Sequence, residues 1–164
     1  MPPQGEVPDD RRPLSVSDLF RCRPPAGTGG FGPFTGNALT ATAPHLALGR
    51  QGEERAVEHL RRLGYRIMAR NVRTRFGELD LVARDGDTLV FCEVKTRRDG
   101  DCGGPAAAID WRKQQRLVRL AGAFLQQNPQ WEELECRFDA VLLWRQGPEW
   151  RIQVIADAFR PGWW

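Results

Sequence analysis

Residues 77–96, GELDLVARDGDTLVFCEVKT, constrain the fold more than any other part of the chain. Two apolar runs, 77–84 and 88–96, flank Asp85-Gly86-Asp87, a turn sequence that folds one strand back on the next. The second run, Leu89-Val90-Phe91-Cys92-Glu93-Val94-Lys95, is apolar at odd and even positions alike. A strand with that pattern is covered on both faces, which demands layers above and below the sheet. Glu93 and Lys95 interrupt it, and because strand side chains alternate they project to the same face. Across a tight hairpin, Asp80 stands beside Glu93 on that face. Two buried carboxylates repel, and each alone costs several kcal/mol to desolvate. The simplest remedy is a divalent cation on hard oxygen ligands, with Lys95 as a further positive charge. The alternative is a buried Glu93–Lys95 or Asp80–Lys95 ion pair without chemistry. Such pairs add no more stability than apolar replacements, so a bare fold has little use for one.

The remaining periodicities place this hairpin in a single α/β domain. Residues 50–63 predict a helix with Ala56, Val57, Leu60 and Leu63 on one stripe and Gly64 at its end. YRIMARNV predicts a strand. A long helix is expected from Pro105 to about Gln127, closed by Asn128-Pro129, and strands follow at Arg137–Trp144 and Trp150–Ile155 around Gln146-Gly147-Pro148. The order α-β-β-β-α-β-β implies a mixed central β-sheet flanked by helices. Eight of the twelve prolines lie in the first 44 residues among glycines and few apolar residues. Residues 1–45 are therefore expected to form a disordered Pro/Gly-rich extension, residues 46–160 the domain, and 161–164 a short tail. With 164 residues there is room for little else.

Composition narrows the function classes. No apolar run approaches the ~20 residues that span a bilayer, and the opening MPPQGEVPDDRRP has no charged-then-apolar pattern, so a cytoplasmic protein without a membrane partner is expected. Four separated cysteines, no CxxC pair and two histidines argue against a disulfide scaffold and a zinc site. A formal net charge of +3 permits a nucleic-acid partner without demanding one.

Two helical residues also break the polar-outside rule. Glu53 lies in step with Ala56 and Leu60, whereas Glu54 and Glu58 share an outer face with Arg61 and Arg62. A carboxylate near a helix start also suits the macrodipole, so Glu53 has a structural explanation as well. Lys113 falls on the stripe Ile109, Lys113, Leu117, Leu120, Phe124, from which it either reaches the hairpin face or snorkels outward. Lys95 and Lys113 are the only lysines in the chain. A rotatable ammonium suits both positions better than a guanidinium fork. Arginines Arg73, Arg75, Arg97, Arg98, Arg112, Arg116 and Arg119 surround these positions in sequence, and are candidates for phosphate contacts or plain solvated charge. No zinc finger, RNP-type aromatic motif or helix-turn-helix signature reads bases. Trp144 and Trp150 are expected to cover a sheet edge, and Trp163 and Trp164 to dock on the domain or on a second copy.

Gly49-x-x-Gly52-Glu53-x-x-Ala56-x-x-x-Leu60-x-x-x-Gly64, Asn71-x-Arg73, Gly77-Glu78-Leu79-Asp80-Leu81, Phe91-Cys92-Glu93-Val94-Lys95-Thr96-Arg97 and Arg137-Phe138-Asp139 together resemble the bacterial YraN family. The core of that family is similar to the PD-(D/E)XK nuclease superfamily, closest to Holliday-junction resolvases, and the resemblance covers about residues 46 to 160. It implies a restriction-endonuclease-like fold and a Mg²⁺- or Mn²⁺-dependent endonuclease acting on phosphodiester bonds, of DNA before RNA, with branched DNA a candidate. It further implies Asp80, Glu93 and Lys95 as the catalytic set, and Glu53, Asp80 and Glu93 as metal-binding carboxylates. The Val94 carbonyl would be a further oxygen ligand, Lys113 and Glu78 auxiliaries. Leu79 stands where the superfamily name has proline, which leaves the acid unaffected. Junction-cutting relatives imply a homodimer. A nucleic-acid-binding protein that keeps the nuclease scaffold without turnover is the alternative.

Overall fold

A computed structural model describes residues 44–98 and 109–161. Helix α1 (Pro44–Arg62) leads into strands β1 (Arg66–Thr74), β2 (Gly77–Asp85) and β3 (Thr88–Arg98). Helix α2 (Trp111–Gln127) and a 3₁₀ turn (Pro129–Trp131) precede β4 (Glu135–Gln146) and β5 (Glu149–Phe159). The five strands form one sheet in the order β1-β2-β3-β4-β5. All neighbours are antiparallel except β3 and β4, which run parallel with Glu93 opposite Ala140 and Lys95 opposite Leu142. This is the α-β-β-β-α-β-β order and mixed sheet expected from the periodicities.

Both helix starts differ from the sequence expectation. Helix α1 begins at Pro44, so it takes in the last residues assigned to the extension. Proline there is no breaker, because the first helical turn needs neither its missing N–H nor any other φ. The rest of the extension lies outside the described residues, as do Pro105, Cys102, Trp163, Trp164 and the Arg98 side chain. Helix α2 starts at Trp111, with Asp110 capping it by accepting the Lys113 backbone N–H at 3.0 Å. A carboxylate that satisfies an orphan donor and complements the helix dipole fixes the start more firmly than a proline does.

Gly64, at φ +94°, ends α1 in the left-handed conformation, its N–H bonded to Arg61 O at 3.0 Å. That turn swings Leu63 outward, 54% exposed, so Leu63 leaves the core stripe on which its spacing placed it. Ala56, Val57 and Leu60 do pack on the sheet, against Leu81, Ala83, Val90, Cys92, Val141 and Leu143. On the opposite face Leu117, Leu120 and Phe124 of α2 cover Val82, Leu89, Phe91, Phe138 and Leu142. Phe91 meets the Phe124 ring edge-on at 5.9 Å and stacks on Phe138 at 5.6 Å. The central strand β3 is thus covered on both sides, as its unbroken apolar run requires. Burying one large side chain such as Phe91 is worth about 1.5–3 kcal/mol, and β3 contributes three in a row from Leu89 to Phe91. No described helix is long and apolar enough to cross a membrane.

One polar cluster is built into this core. Asp139 is fully buried and accepts Arg137 Nε at 2.9 Å, Arg137 Nη2 at 3.1 Å, the Tyr65 hydroxyl at 3.2 Å and the Asp157 backbone N–H at 2.9 Å. Arg137 also donates to Asp85 at 2.9 Å and to the Tyr65 oxygen at 3.0 Å. Burial and the Asp139 charge push the Tyr65 hydroxyl up to about 12, so the phenol stays protonated as a donor.

Candidate active site

The β2–β3 ladder pairs residues from Asp85↔Thr88 as far as Leu81↔Cys92. Asp80 and Glu93 come next on their strands, and there the side chain takes over from the backbone: the Val94 N–H donates to Asp80 Oδ2 at 2.8 Å. That bond pins the Asp80 carboxylate where the two strands part. It also favours the charged form, but burial and the Glu93 charge outweigh it and push Asp80 up to about 7, with Glu53 and Glu78 adding to the rise. Burial raises Glu93 too, against the charges of Lys113, Arg116 and Lys95. The two carboxylates therefore share one low-dielectric pocket.

The cations arrive from two elements. Lys95 follows Glu93 by two residues on β3 and faces the same side of the sheet. Its ammonium is depressed by burial first, then by the neighbouring Lys113 ammonium, and then by Arg97. Lys113 thus reaches the hairpin face from the first turn of α2, the first of the two orientations its stripe position allows. Arg97 is buried. Arg116 lies over Gly77, where a Cβ would stand 3.6 Å from Arg116 Nε.

Glu53 joins from α1. Its Oε2 accepts the Asn71 side-chain N–H at 3.2 Å. Asn71 sits between the pairs Arg70↔Leu81 and Val72↔Leu79, alongside Asp80, with φ +50°. Asparagine tolerates that left-handed conformation better than most residues. Gly52 lets α1 approach this closely, since a Cβ there would fall 1.9 Å from Thr96 Oγ1 on β3. Sequence patterning assigns no role to Asn71, Gly52 or Thr96, although all three lie in the motifs that carry the resemblance. An asparagine within a strand pattern was the one readable signal. Glu54 is exposed, and Glu58 forms exposed pairs with Arg55 at 3.5 Å and Arg62 at 3.6 Å. Glu78 pairs with Arg73 at 3.3 Å, and Arg75 stacks on the Phe76 ring at 4.6 Å. Arg112 and Arg119 are exposed on α2. Trp144 packs on the α2 side of the core and Trp150 on the α1 side.

The donor set bears on which ion fits. Among the described residues, no three His, Cys, Asp or Glu side chains gather closely enough to hold a metal by themselves. A closed protein cage of the calcium or zinc kind is therefore absent from them. Mg²⁺ and Mn²⁺ are held differently, by one or two carboxylates, with waters and substrate phosphate completing the shell. Asp80 and Glu93, side by side and both driven toward protonation by burial, suit that second arrangement. Of the cysteines, Cys92 and Cys136 are buried free thiols, the first pushed up strongly and the second to about 12, which leaves both inert as soft ligands.

Residues 52–143 match the model of the uncharacterised protein family UPF0102. The chain belongs to the UPF0102 family. The matched span runs from Gly52 on α1 to Leu143 on β4 and so contains Glu53, Asp80, Glu93, Lys95 and Lys113. A UPF0102 protein of Magnetococcus marinus is 45% identical over 117 residues, 71% of this chain and 94% of its own length. UPF0102 proteins of Pseudomonas entomophila and Pseudomonas aeruginosa are 50% and 53% identical, each over 68% of this chain and over 91% and 90% of their own. The first 51 residues of this UPF0102 chain are outside the matched span of the family model.

Proposed function

We propose that this UPF0102 chain is a metal-dependent nuclease that hydrolyses phosphodiester bonds in nucleic acid, DNA in the first place. The observation that carries the reading is Asp80. Its carboxylate is pinned by Val94 at the point where β2 and β3 separate, next to Glu93, with two lysines facing the same pocket. A scaffold gains nothing from such repulsion, whereas a divalent cation relieves it.

A bound Mg²⁺ or Mn²⁺ supplies charge at the scissile phosphate and lowers the pKa of a water. Asp80 and Glu93 would hold it, with the Val94 carbonyl as a further donor. Glu53, tied to Asn71 beside Asp80, acts on that site through its charge. Lys95 Nζ, depressed by burial and its cationic neighbours, exchanges its proton more readily than a free lysine and orients the attacking water. Lys113 and Arg116, whose charges already reach Glu93, offset the negative charge that builds on the phosphate. Arg73, Arg75, Arg112 and Arg119 attract the backbone beyond the cut, a sequence-independent attraction that weakens steeply with salt.

The test uses labelled duplex, flap, four-way-junction and single-stranded DNA with Mg²⁺ and with Mn²⁺. The wild-type chain is expected to cut at least one of them, and Glu93→Ala to lose about 100-fold or more of that activity. Cleavage unchanged in Glu93→Ala overturns the site. Salt-sensitive binding with no product on any substrate selects a non-cleaving binder in its place.

A further inference from the structure

Three large apolar side chains stand exposed among the described residues: Leu63, Phe76 and Trp111. Leu63 follows α1 and precedes by two residues Tyr65, which bonds Arg137 at the Asp85 end of the sheet. Trp111 precedes Lys113 by two residues, a rotation of about 200° around α2, so it faces away from the pocket that Lys113 enters. Phe76 alone borders the site. It forms the two-residue β1–β2 turn with Arg75, four residues before Asp80 on the same strand run, roughly 13 Å in extended chain.

Two-residue hairpin turns favour Asn, Asp and Gly, and Phe76 remains 41% exposed. The backbone of the turn is nonetheless held. The Phe76 N–H donates to Thr74 Oγ1 at 3.1 Å, and Thr74 Oγ1 donates to the Gly77 carbonyl at 3.2 Å. The surroundings are cationic: Arg75 lies 4.6 Å over the ring and the Arg116 guanidinium packs on Gly77. Arg116 in turn acts on Glu93, so aromatic ring, guanidinium and carboxylate follow one another from the turn into the pocket. An aromatic face beside arginines, at the margin of a phosphodiester-cleaving pocket, has the composition of a single-strand binding platform, where rings stack bases and cations track phosphates.

We infer that Phe76 stacks an unpaired base within a few nucleotides of the cleaved phosphate, so that the substrate carries a single-stranded segment at the β1–β2 turn. This rests on the nuclease reading and names the substrate class for the same site. Duplex DNA keeps its bases stacked on one another and offers no free face to the ring.

The measurement is binding of single-stranded and blunt duplex DNA oligonucleotides, with Ca²⁺ as the only divalent ion, to the wild-type chain, Phe76→Ala and Phe76→Trp. The single strand carries one 2-aminopurine, whose fluorescence falls when it stacks. Phe76→Ala is expected to weaken single-strand binding about 10-fold and abolish the quench, with duplex binding changed less than about 2-fold. Phe76→Trp keeps both. Equal single-strand affinity and quench in Phe76→Ala overturn the stacking inference. In that case Mg²⁺-dependent cleavage lost in Glu93→Ala leaves the nuclease reading standing. A wild-type chain that binds neither oligonucleotide overturns the stacking inference, and the nuclease reading falls with it only if none of the four cleavage substrates is cut either.

Discussion

Asp80 carries the sharpest residue-level consequence. Its carboxyl ordinarily titrates near 3.8 and is pushed up to about 7 here by burial and by Glu93. In the unfolded chain the proton leaves near the ordinary value, while the folded chain keeps it until about 7. Stability is therefore lost as pH rises between about 4 and about 7, by a few kcal/mol, and is flat below that window. With chelator present, urea midpoints at pH 5 and pH 8 are expected to differ clearly for the wild-type chain and much less for Asp80→Asn. The amide oxygen of that variant still accepts the Val94 N–H, so the difference isolates charge. The same pH dependence in both proteins would refute the burial argument. Asp80, Glu93 and Lys95 were legible in the sequence because the strand period is two and each breaks an apolar pattern. Asn71 was legible only as an asparagine within a strand pattern, since its hydrogen bond to Glu53 on a helix leaves no trace in periodicity.

Helix α1 is positioned by one glycine. A Cβ at position 52 would stand 1.9 Å from Thr96 Oγ1, so Gly52→Ala forces the helix off β3 and carries Glu53 away from Asn71. The expected cost is about 1–3 kcal/mol, the usual penalty for overpacking, read as a shift in the urea midpoint. Adding Thr96→Ala removes the nearest atom and is expected to recover part of it; no loss in Gly52→Ala would show that the helix has slack. Element types and order could be read from the sequence, because turn residues separate the strands and both helices keep an apolar stripe despite Glu53 and Lys113. Helix starts could not. Pro44 and Pro105 are the same residue type, yet α1 begins at the first, whereas α2 begins at Trp111, where the neighbouring Asp110 meets an orphan donor.

The sheet as a whole is tied across by Asp139, whose partners come from β4, from the approach to β1 and from β5, while Arg137 extends the network to Asp85 on β2. Asp139→Ala removes the buried half of the Arg137 ion pair, leaving Arg137 to Asp85, and takes away the acceptor of the Tyr65 hydroxyl and of the Asp157 N–H. That is expected to cost about 3–5 kcal/mol, enough to unfold a domain of ordinary stability near its working temperature. Thermal melting checks it, with an unchanged transition as the opposing result. This tie was invisible in the sequence because its members are scattered along the chain and none breaks a pattern by itself. The topology has one more effect, on the order of assembly. Strands β1, β2 and β3 meet through turns of two residues, whereas β3 finds β4 only after α2 has been laid down between them. Short loops close at the lowest entropic cost, so the hairpin bearing Asp80 and Glu93 comes together early. Lys113 and Arg116 belong to the late-arriving segment, and until they dock, the nascent hairpin holds its like charges together without them.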